Sequence, residues 1–159
     1  MTIDPLTTAA FTGHRTYDDS ASAQLRDAIL SLYASGYRTF LTGMAAGFDL
    51  AAAEAVLALR GSLAGVRLVC IIPFEGQARR FSESIRERYE RVVEAADEVV
   101  TLSPHYAVDV YFRRNDFLAD LSTTVIAYLS DRKSGTAYTV RRALRRHSRV
   151  INLCDNPIF

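Results

Sequence analysis

The sequence is short of most features that would commit it to a metal, a membrane or a polyanion. Its 18 acidic and 19 basic residues leave a formal net charge of +1, so no overall imbalance draws it to nucleic acid or to an anionic surface. Lysine is nearly absent: Lys133 is the only one, and the remaining basic residues are arginines. There are two cysteines, Cys70 and Cys154, each within an apolar strand-like run and with no C-x-x-C spacing. They are expected as buried free thiols in a reducing compartment. With three histidines and no H-E-x-x-H, no catalytic transition metal is expected. No apolar run approaches the roughly 20 residues of a membrane-spanning helix. The opening MTIDPLTTAAF lacks a basic segment and a long apolar core, so no signal peptide, no membrane partner and a cytoplasmic location are expected.

What is present is an ordinary globular composition. The 159 residues, 49% hydrophobic and 23% charged, fit one domain with a real core. The chain is organised around Leu41–Glu54, LTGMAAGFDLAAAE. An apolar run ends at Thr42, Gly43 and Gly47 bracket a tight turn, and an alanine-rich run of high helix propensity follows from Leu50 to Leu59. A strand, a glycine turn and a helix in that order put backbone N–H groups and a positive helix end at one edge of a sheet, which suits a phosphate. The pattern is G-x-x-x-G-x-D, neither the dinucleotide fingerprint nor a Walker A loop. The glycines could equally serve only to permit positive φ.

The remainder alternates regularly. Strands are expected at Thr7–Thr12, Tyr37–Thr42, Val66–Pro73, Asp97–Leu102, Thr123–Leu129 and Arg149–Leu153. Helices are expected after Asp18–Ser20 as far as Gly36, from Leu50 to near Gly61, behind a Ser84/Glu87 capping box, from about Asp109, and from Thr136 to about His147. This predicts a single-domain α/β fold, a Rossmann-like doubly wound parallel sheet of about six strands in the order 3-2-1-4-5-6, with a crevice between strands 1 and 4. Ligands of such sheets bind outside the carboxyl ends of the strands. Gly13-His14-Arg15, Gly43–Asp49, Pro73–Gln77 and Ser134–Thr136 are all expected on that edge.

Those loops also resemble a known family. FTGHR, TGMAAGFDLAAAE and IPFEGQARRF after the first three strands, then Tyr89, Asp97, the RND of Arg114–Asp116 and SGTAYTVRRA at Ser134–Ala143, are similar to the YpsA-like branch of the SLOG superfamily. The resemblance spans roughly Thr8 to Leu153. It implies a Rossmann-like domain that binds a nucleotide or nucleotide-derived ligand and requires no further cofactor. Relatives in that superfamily include LOG phosphoribohydrolases, which cleave nucleoside monophosphates, and DprA-type proteins, which bind single-stranded DNA. In place of the LOG loop P-G-G-x-G-T-x-x-E, this chain has DRKSGTAYT at Asp131–Thr139, with the Gly-Thr pair kept and Thr139 at the glutamate position. LOG-type N-glycosidic hydrolysis is thereby put in doubt, and phosphate binding is not.

The expected ligand-binding set is Gly13, His14, Arg15, Gly43, Met44, Gly47, Asp49, Pro73, Phe74, Gln77, Arg114, Asn115, Ser134, Gly135 and Thr136. Gly135-Thr136 at a helix start offers free N–H groups and a hydroxyl to a phosphate, or is simply a cap. Arg15 could clamp a phosphate through parallel hydrogen bonds or close a salt bridge. Arg114, a cation on the apolar stripe of Phe117, Leu118 and Leu121, needs a carboxylate, a ligand or water; Asn115 beside it could meet a base or sugar. Asp49 either caps its helix or meets a ribose hydroxyl. Glu54, ringed by alanines, is a weak candidate for proton transfer together with Asp49, or is paired with an arginine such as Arg15. Arg141, Arg142, Arg145, Arg146 and Arg149 read either as a solvated basic face near a helix C-terminus or as a nucleic-acid patch. A small-molecule nucleotide is the expected partner, nucleic acid is not expected, and assembly into a homo-oligomer is left open.

Overall fold

In a computed structural model of the chain, residues 2–155 are described, and the end of the expected tail, residues 156–159, lies outside them. The strands are β1 (Thr8–Gly13), β2 (Thr39–Thr42), β3 (Arg67–Ile72), β4 (Glu98–Thr101), β5 (Thr124–Tyr128) and β6 (Arg149–Asn152). Between them run α1 (Ser22–Ala34), α2 (Phe48–Arg60), α3 (Glu83–Ala95), α4 (Val110–Asp120) and α5 (Gly135–Arg145). Every pairing in the sheet is parallel. The expected alternation is therefore present, with some boundaries, such as the end of β2 at Thr42 and the start of β6 at Arg149, where expected and the others moved by a few residues. The helix expected behind Ser84 starts earlier, because Ser82 is the N-cap and its side chain accepts the Ile85 N–H at 3.4 Å.

Period-two alternation sorts the strand residues between two faces. Ala9, Phe11, Phe40, Leu68, Cys70, Ile72 and Ile126 face the layer of α1, α2 and α3. Ala10, Leu41, Val69 and Ile71 face α4 through Leu118, while Val125 and Ala127 face α5 through Val140 and Ala143. Phe11 is central to the first layer, stacked on Phe40 at 5.9 Å and edge-on to Phe48 at 6.4 Å. Gly13 at the end of β1 is glycine for a packing reason, since a Cβ there would overlap the Phe48 side chain.

The strand order is β4-β3-β2-β1-β5-β6, not the expected 3-2-1-4-5-6. The chain reverses one strand later than expected: β4 adds outside β3, and β5 returns to pair with β1. Burial explains this. β5 is almost wholly buried, as a central strand must be, whereas β4 alternates half-buried and exposed positions as an edge strand can. Polar contacts tie β4 to its place. Asp97 accepts the Leu68 N–H at 2.8 Å and Arg60 at 2.9 Å, and Arg67 meets Glu98 at 3.1 Å. The crevice accordingly opens where β1 meets β5.

Phe11→Ala removes a fully buried ring and should lower the unfolding free energy by about 3–5 kcal/mol in urea denaturation. Leu144→Ala, on a side chain 45% exposed, should change it by less than ~0.5 kcal/mol. Near-equal effects would refute this placement of the core.

Candidate functional site

Two depressions lie at the carboxyl edge of the sheet and share Arg15 and Tyr111 in their walls. The first, a crevice of about 390 Å³, brings together Gly13, His14, Arg15, Asp49, Arg114, Asn115, Ser134, Gly135 and Thr136 of the expected set. Thr12, Ala45, Tyr111 and Phe112 complete it. The second, about 900 Å³, takes Phe74 and Gln77 from that set and adds Arg79, Arg80, Phe81 and Tyr106 among others. Gly43, Met44, Gly47 and Pro73 line neither.

The turn from Gly43 to Gly47 is largely occupied with itself. Met44 donates its N–H to the Thr42 hydroxyl at 3.3 Å, Ala45 donates to Asp49 Oδ2 at 3.4 Å, and the Gly43 carbonyl accepts Arg114 at 2.7 Å. Both glycines are required by neighbours. A Cβ on Gly43 would lie 2.5 Å from Arg114 Cδ, and one on Gly47, where φ is +83°, would lie 2.5 Å from the His14 and Arg15 carbonyls. The turn thus supports the crevice from behind, and its side chain at Met44 is fully buried despite a φ of 62°.

Arg114 is what the turn packs around. Only 7% exposed, it donates to the Gly43 carbonyl and, through Nε, to Asn115 Oδ1 at 2.9 Å. Of the three partners open to it in the sequence, the nearby Asp49 carboxylate favours its charge without closing an ion pair, and its hydrogen bonds go to the Gly43 carbonyl and Asn115. Asp49 is 4% exposed and its Oδ1 has no hydrogen-bond partner among the described residues. Burial raises its carboxyl to about 6, and Arg114 only partly opposes that. Asn115 keeps its amide nitrogen beside Gly135, 3.6 Å from where a Cβ would stand.

The far wall is the start of α5. Ser134 is its cap, accepting the Ala137 N–H at 3.1 Å. The Gly135 and Thr136 N–H groups have no acceptor among the described residues and line the crevice. This positive helix end therefore shares the crevice with the buried Arg114 and Asp49. His14 is engaged differently from the expectation: its Nε2 accepts the Ser130 N–H at 2.8 Å, joining the loops after β1 and β5, and burial lowers its pKa. At position 139 the Thr139 hydroxyl donates to the Gly135 carbonyl at 3.1 Å, bracing the same turn.

Several expected roles fall elsewhere. Glu54 lies outside the crevice, paired with Arg88 of α3 through both carboxylate oxygens, and lines a separate depression with Leu57 and Arg91. The alanines around it follow from helix packing, and its partner is Arg88, not Arg15. Of the basic run at the end of the chain, Arg142 and Arg146 are answered by carboxylates of α4. Arg142 bonds both oxygens of Asp120 at 2.7 and 2.8 Å, Arg146 reaches Asp120 at 3.5 Å, and Arg141 donates to the Arg132 carbonyl at 2.7 Å. Cys70 is buried and its thiol is pushed up to about 12, whereas Cys154 is only half-buried. Among the described residues no group of His, Cys, Asp and Glu could hold a metal ion, and no helix is long and apolar enough to cross a membrane.

Tyr111, Phe112 and Tyr106 were missed for two reasons, and Arg79 and Arg80 sit in the connection between β3 and α3, whose arginines carry no pattern of their own. Tyr111 and Phe112 precede the RND motif by one turn, where the apolar pattern reads as core. Phe74 meets Tyr106 only because β4 lies beside β3: Glu75 donates its N–H to the Ser103 carbonyl at 3.0 Å, so the loops after those two strands touch. A strand order that moved β4 across the sheet hid that contact.

Asp49 gives a pH signature. Its folded value, about 6, lies above the ordinary 3.8, so the folded state holds the proton more tightly and stability falls as pH rises from 4 to 6. Above that range the ionised group costs about 3 kcal/mol relative to its protonated form. Asp49→Asn cannot ionise, so its unfolding free energy relative to wild type should improve by about that amount between pH 4 and pH 7 in urea titrations. A difference that stays flat would show Asp49 to be solvated.

Comparison with known proteins places the chain. The family model described as YpsA, the YspA SLOG family, matches residues 10–153. The UPF0398 protein BH1768 of Halalkalibacterium halodurans is 29% identical over 121 residues, covering 74% of this chain and 64% of that protein. The UPF0398 protein YpsA of Bacillus subtilis is 26% identical over 140 residues, covering 80% of this chain and 78% of its own. Among solved structures, DNA processing protein A of Streptococcus pneumoniae superposes with a TM-score of 0.65 at 20% identity, over 91% of this chain and 49% of that one. DNA processing protein A of Helicobacter pylori, described by its single-stranded DNA binding mode, gives 0.67 at 18% identity, over 92% and 64%. At these identities the likeness is one of fold. The chain spans about 64% of BH1768 and about half of the Streptococcus protein. The expectation that nucleic acid is no partner finds no support in these folds. By the match over residues 10–153, the chain belongs to the YspA SLOG family.

Proposed function

We propose that this domain binds a nucleotide or nucleotide-derived ligand in the crevice where β1 meets β5. One observation carries the reading: the unpartnered N–H groups of Gly135 and Thr136 face a crevice whose opposite wall holds a buried carboxylate with a free oxygen, Asp49 Oδ1. A helix start with open donors takes a phosphate. A buried acceptor without a partner takes a hydroxyl, because leaving it empty costs about 1–3 kcal/mol of unrecovered desolvation. Phosphate and sugar hydroxyl together are the two ends of a ribose phosphate. Asn115 and Arg15 add donors at the same mouth.

Glycosidic hydrolysis has less to support it. Glu54 is turned toward Arg88, and position 139 carries a threonine whose hydroxyl is already donated within α5. Asp49 is the one carboxylate of the two candidates that reaches the crevice. A strand of DNA is the second reading, favoured by the shared fold with the Helicobacter protein. It would use the sheet edge and not the α5 arginines, of which Arg142 and Arg146 are tied to Asp120.

Calorimetric titration with nucleoside mono- and diphosphates, cyclic nucleotides and ADP-ribose should find at least one that binds more tightly than inorganic phosphate. Gly135→Asp places a carboxylate where the phosphate is expected and should weaken that binding at least tenfold, about 1.4 kcal/mol, with the fold retained. Glu54→Gln should leave it unchanged. If no nucleotide exceeds inorganic phosphate, the reading fails. For the second reading, fluorescence anisotropy with single-stranded oligonucleotides at two salt concentrations is the test, since strand binding must weaken steeply with salt. Arg141→Ala with Arg145→Ala should leave any such binding unchanged; its loss would return the α5 arginines to the interface.

A further inference from the structure

The larger cavity has a chemistry of its own. Phe74, Tyr106 and Tyr111 form a three-ring corner, each pair edge-on, with centroids 5.6, 6.0 and 6.3 Å apart and interplanar angles of 80°, 79° and 61°. Tyr106 is 62% exposed, so the corner presents open ring surface to the cavity. Aromatic side chains with free faces suit a planar heterocycle, which stacks on them without needing a particular edge. On the floor is Gln77, only 7% exposed, whose Nε2 donates to the Gly43 carbonyl at 3.5 Å and whose Oε1 accepts the Tyr89 hydroxyl at 3.4 Å. Each of its polar atoms keeps one further hydrogen-bonding position.

The rim is cationic. Arg15, Arg79 and Arg80 line the cavity, and their guanidiniums have no hydrogen bond or ion pair among the described residues. Gly76 is required for this arrangement, because its φ is +91° and a Cβ there would lie 2.9 Å from Arg79 Nε. Arg67, Arg88 and Arg142, away from this edge, are paired with carboxylates instead.

We propose that the larger cavity holds the base of the same ligand, and that Arg15, standing in both walls, holds a second phosphate between base and crevice. The ligand is then a nucleoside diphosphate that carries a hydroxylated group on its distal phosphate: the base against Tyr106, the distal phosphate at Gly135-Thr136 and a hydroxyl of that group at Asp49. This rests on the reading of the crevice as a phosphate site. The cavities of about 390 and 900 Å³ are each of the size that encloses a small ligand, and they are joined at Arg15 and Tyr111. A base joined to phosphates could also be supplied by a single strand of nucleic acid, so the test separates that source.

The experiment titrates ribose 5-phosphate, nucleoside monophosphates, nucleoside diphosphates and a short oligothymidylate into the wild-type chain and into Tyr106→Ala and Arg15→Ala. Ribose 5-phosphate lacks a base and reports the crevice alone. A nucleoside diphosphate should bind wild type at least tenfold more tightly than ribose 5-phosphate. Tyr106→Ala should remove about tenfold of that margin and leave ribose 5-phosphate unchanged. Arg15→Ala should narrow the gap between di- and monophosphates. Equal binding of ribose 5-phosphate and the diphosphates, or a Tyr106→Ala variant with unaltered nucleotide affinity, overturns the base subsite while leaving the crevice reading intact. Binding of nothing, ribose 5-phosphate included, refutes the crevice reading itself. Oligothymidylate binding at physiological salt with all free nucleotides silent overturns the proposal in favour of a strand.

Discussion

A single buried cation holds the carboxyl edge together. Arg114 belongs to α4 on one face of the sheet, yet its guanidinium donates to the Gly43 carbonyl in the turn that leads from β2 to α2 on the other. The Asp49 carboxylate, in the first turn of α2, lies near enough to favour its charge, and its Nε donates to Asn115 beside the start of α5. Three segments far apart in the chain are thereby set relative to one another. Burying two opposite charges near each other is not a stabilising device in itself, because desolvating both offsets most of their attraction. Burial raises the Asp49 carboxyl to about 6, which is the desolvation cost made visible. What the pair supplies is position: an acceptor with one free oxygen, held opposite a helix end with free donors.

The elements were legible because each has a local cause. β-branched and apolar runs between glycines and caps gave the six strands, and the start of α5 was marked by Ser134 and Gly135. Strand order was not local. It depends on which of two later strands is apolar enough to be covered on both faces, and β5 is where β4 is not. Placing the reversal after β3 moved the loop at Ser103–Asp109 to the wrong end of the sheet, and the aromatic corner at Phe74 and Tyr106 disappeared with it.

The site was legible in proportion to how far its residues act through the backbone. Gly135 and Thr136 offer main-chain donors at a helix start, and that follows from sequence. Gly43 and Gly47 were recognised as special but for another reason: they make room for Arg114 and for the His14 and Arg15 carbonyls, not for a phosphate. Glu54 shows the opposite error. An acidic residue among alanines looks buried and functional, but its carboxylate reaches outward to Arg88, one helix away. Only the packing of α2 on α3 decides between those two directions, and no spacing along one helix contains it.

Charge is distributed in the same sense. With a net charge of +1 the molecule has no long-range field to collect an anion, so selectivity must come from which arginines remain unanswered. Away from the ligand edge, Arg60, Arg67, Arg88 and Arg142 each meet a carboxylate. These side chains are roughly a third exposed, so each pair contributes little stability, of order 0–1 kcal/mol. Their larger effect is to cancel positive potential where no ligand is wanted. At the edge itself Arg15, Arg79 and Arg80 keep their charge, beside open N–H groups and open ring faces. Arginines without a carboxylate partner among the described residues also stand elsewhere, Arg26, Arg91 and Arg145 among them, so what distinguishes this edge is that its guanidiniums stand beside open N–H groups and ring faces. The acids that answer the paired arginines come from α2, from α4 and from the start of β4, at Glu54, Asp116, Asp120, Asp97 and Glu98, while Asp49, the one carboxylate lining either cavity, keeps an oxygen without a partner among the described residues.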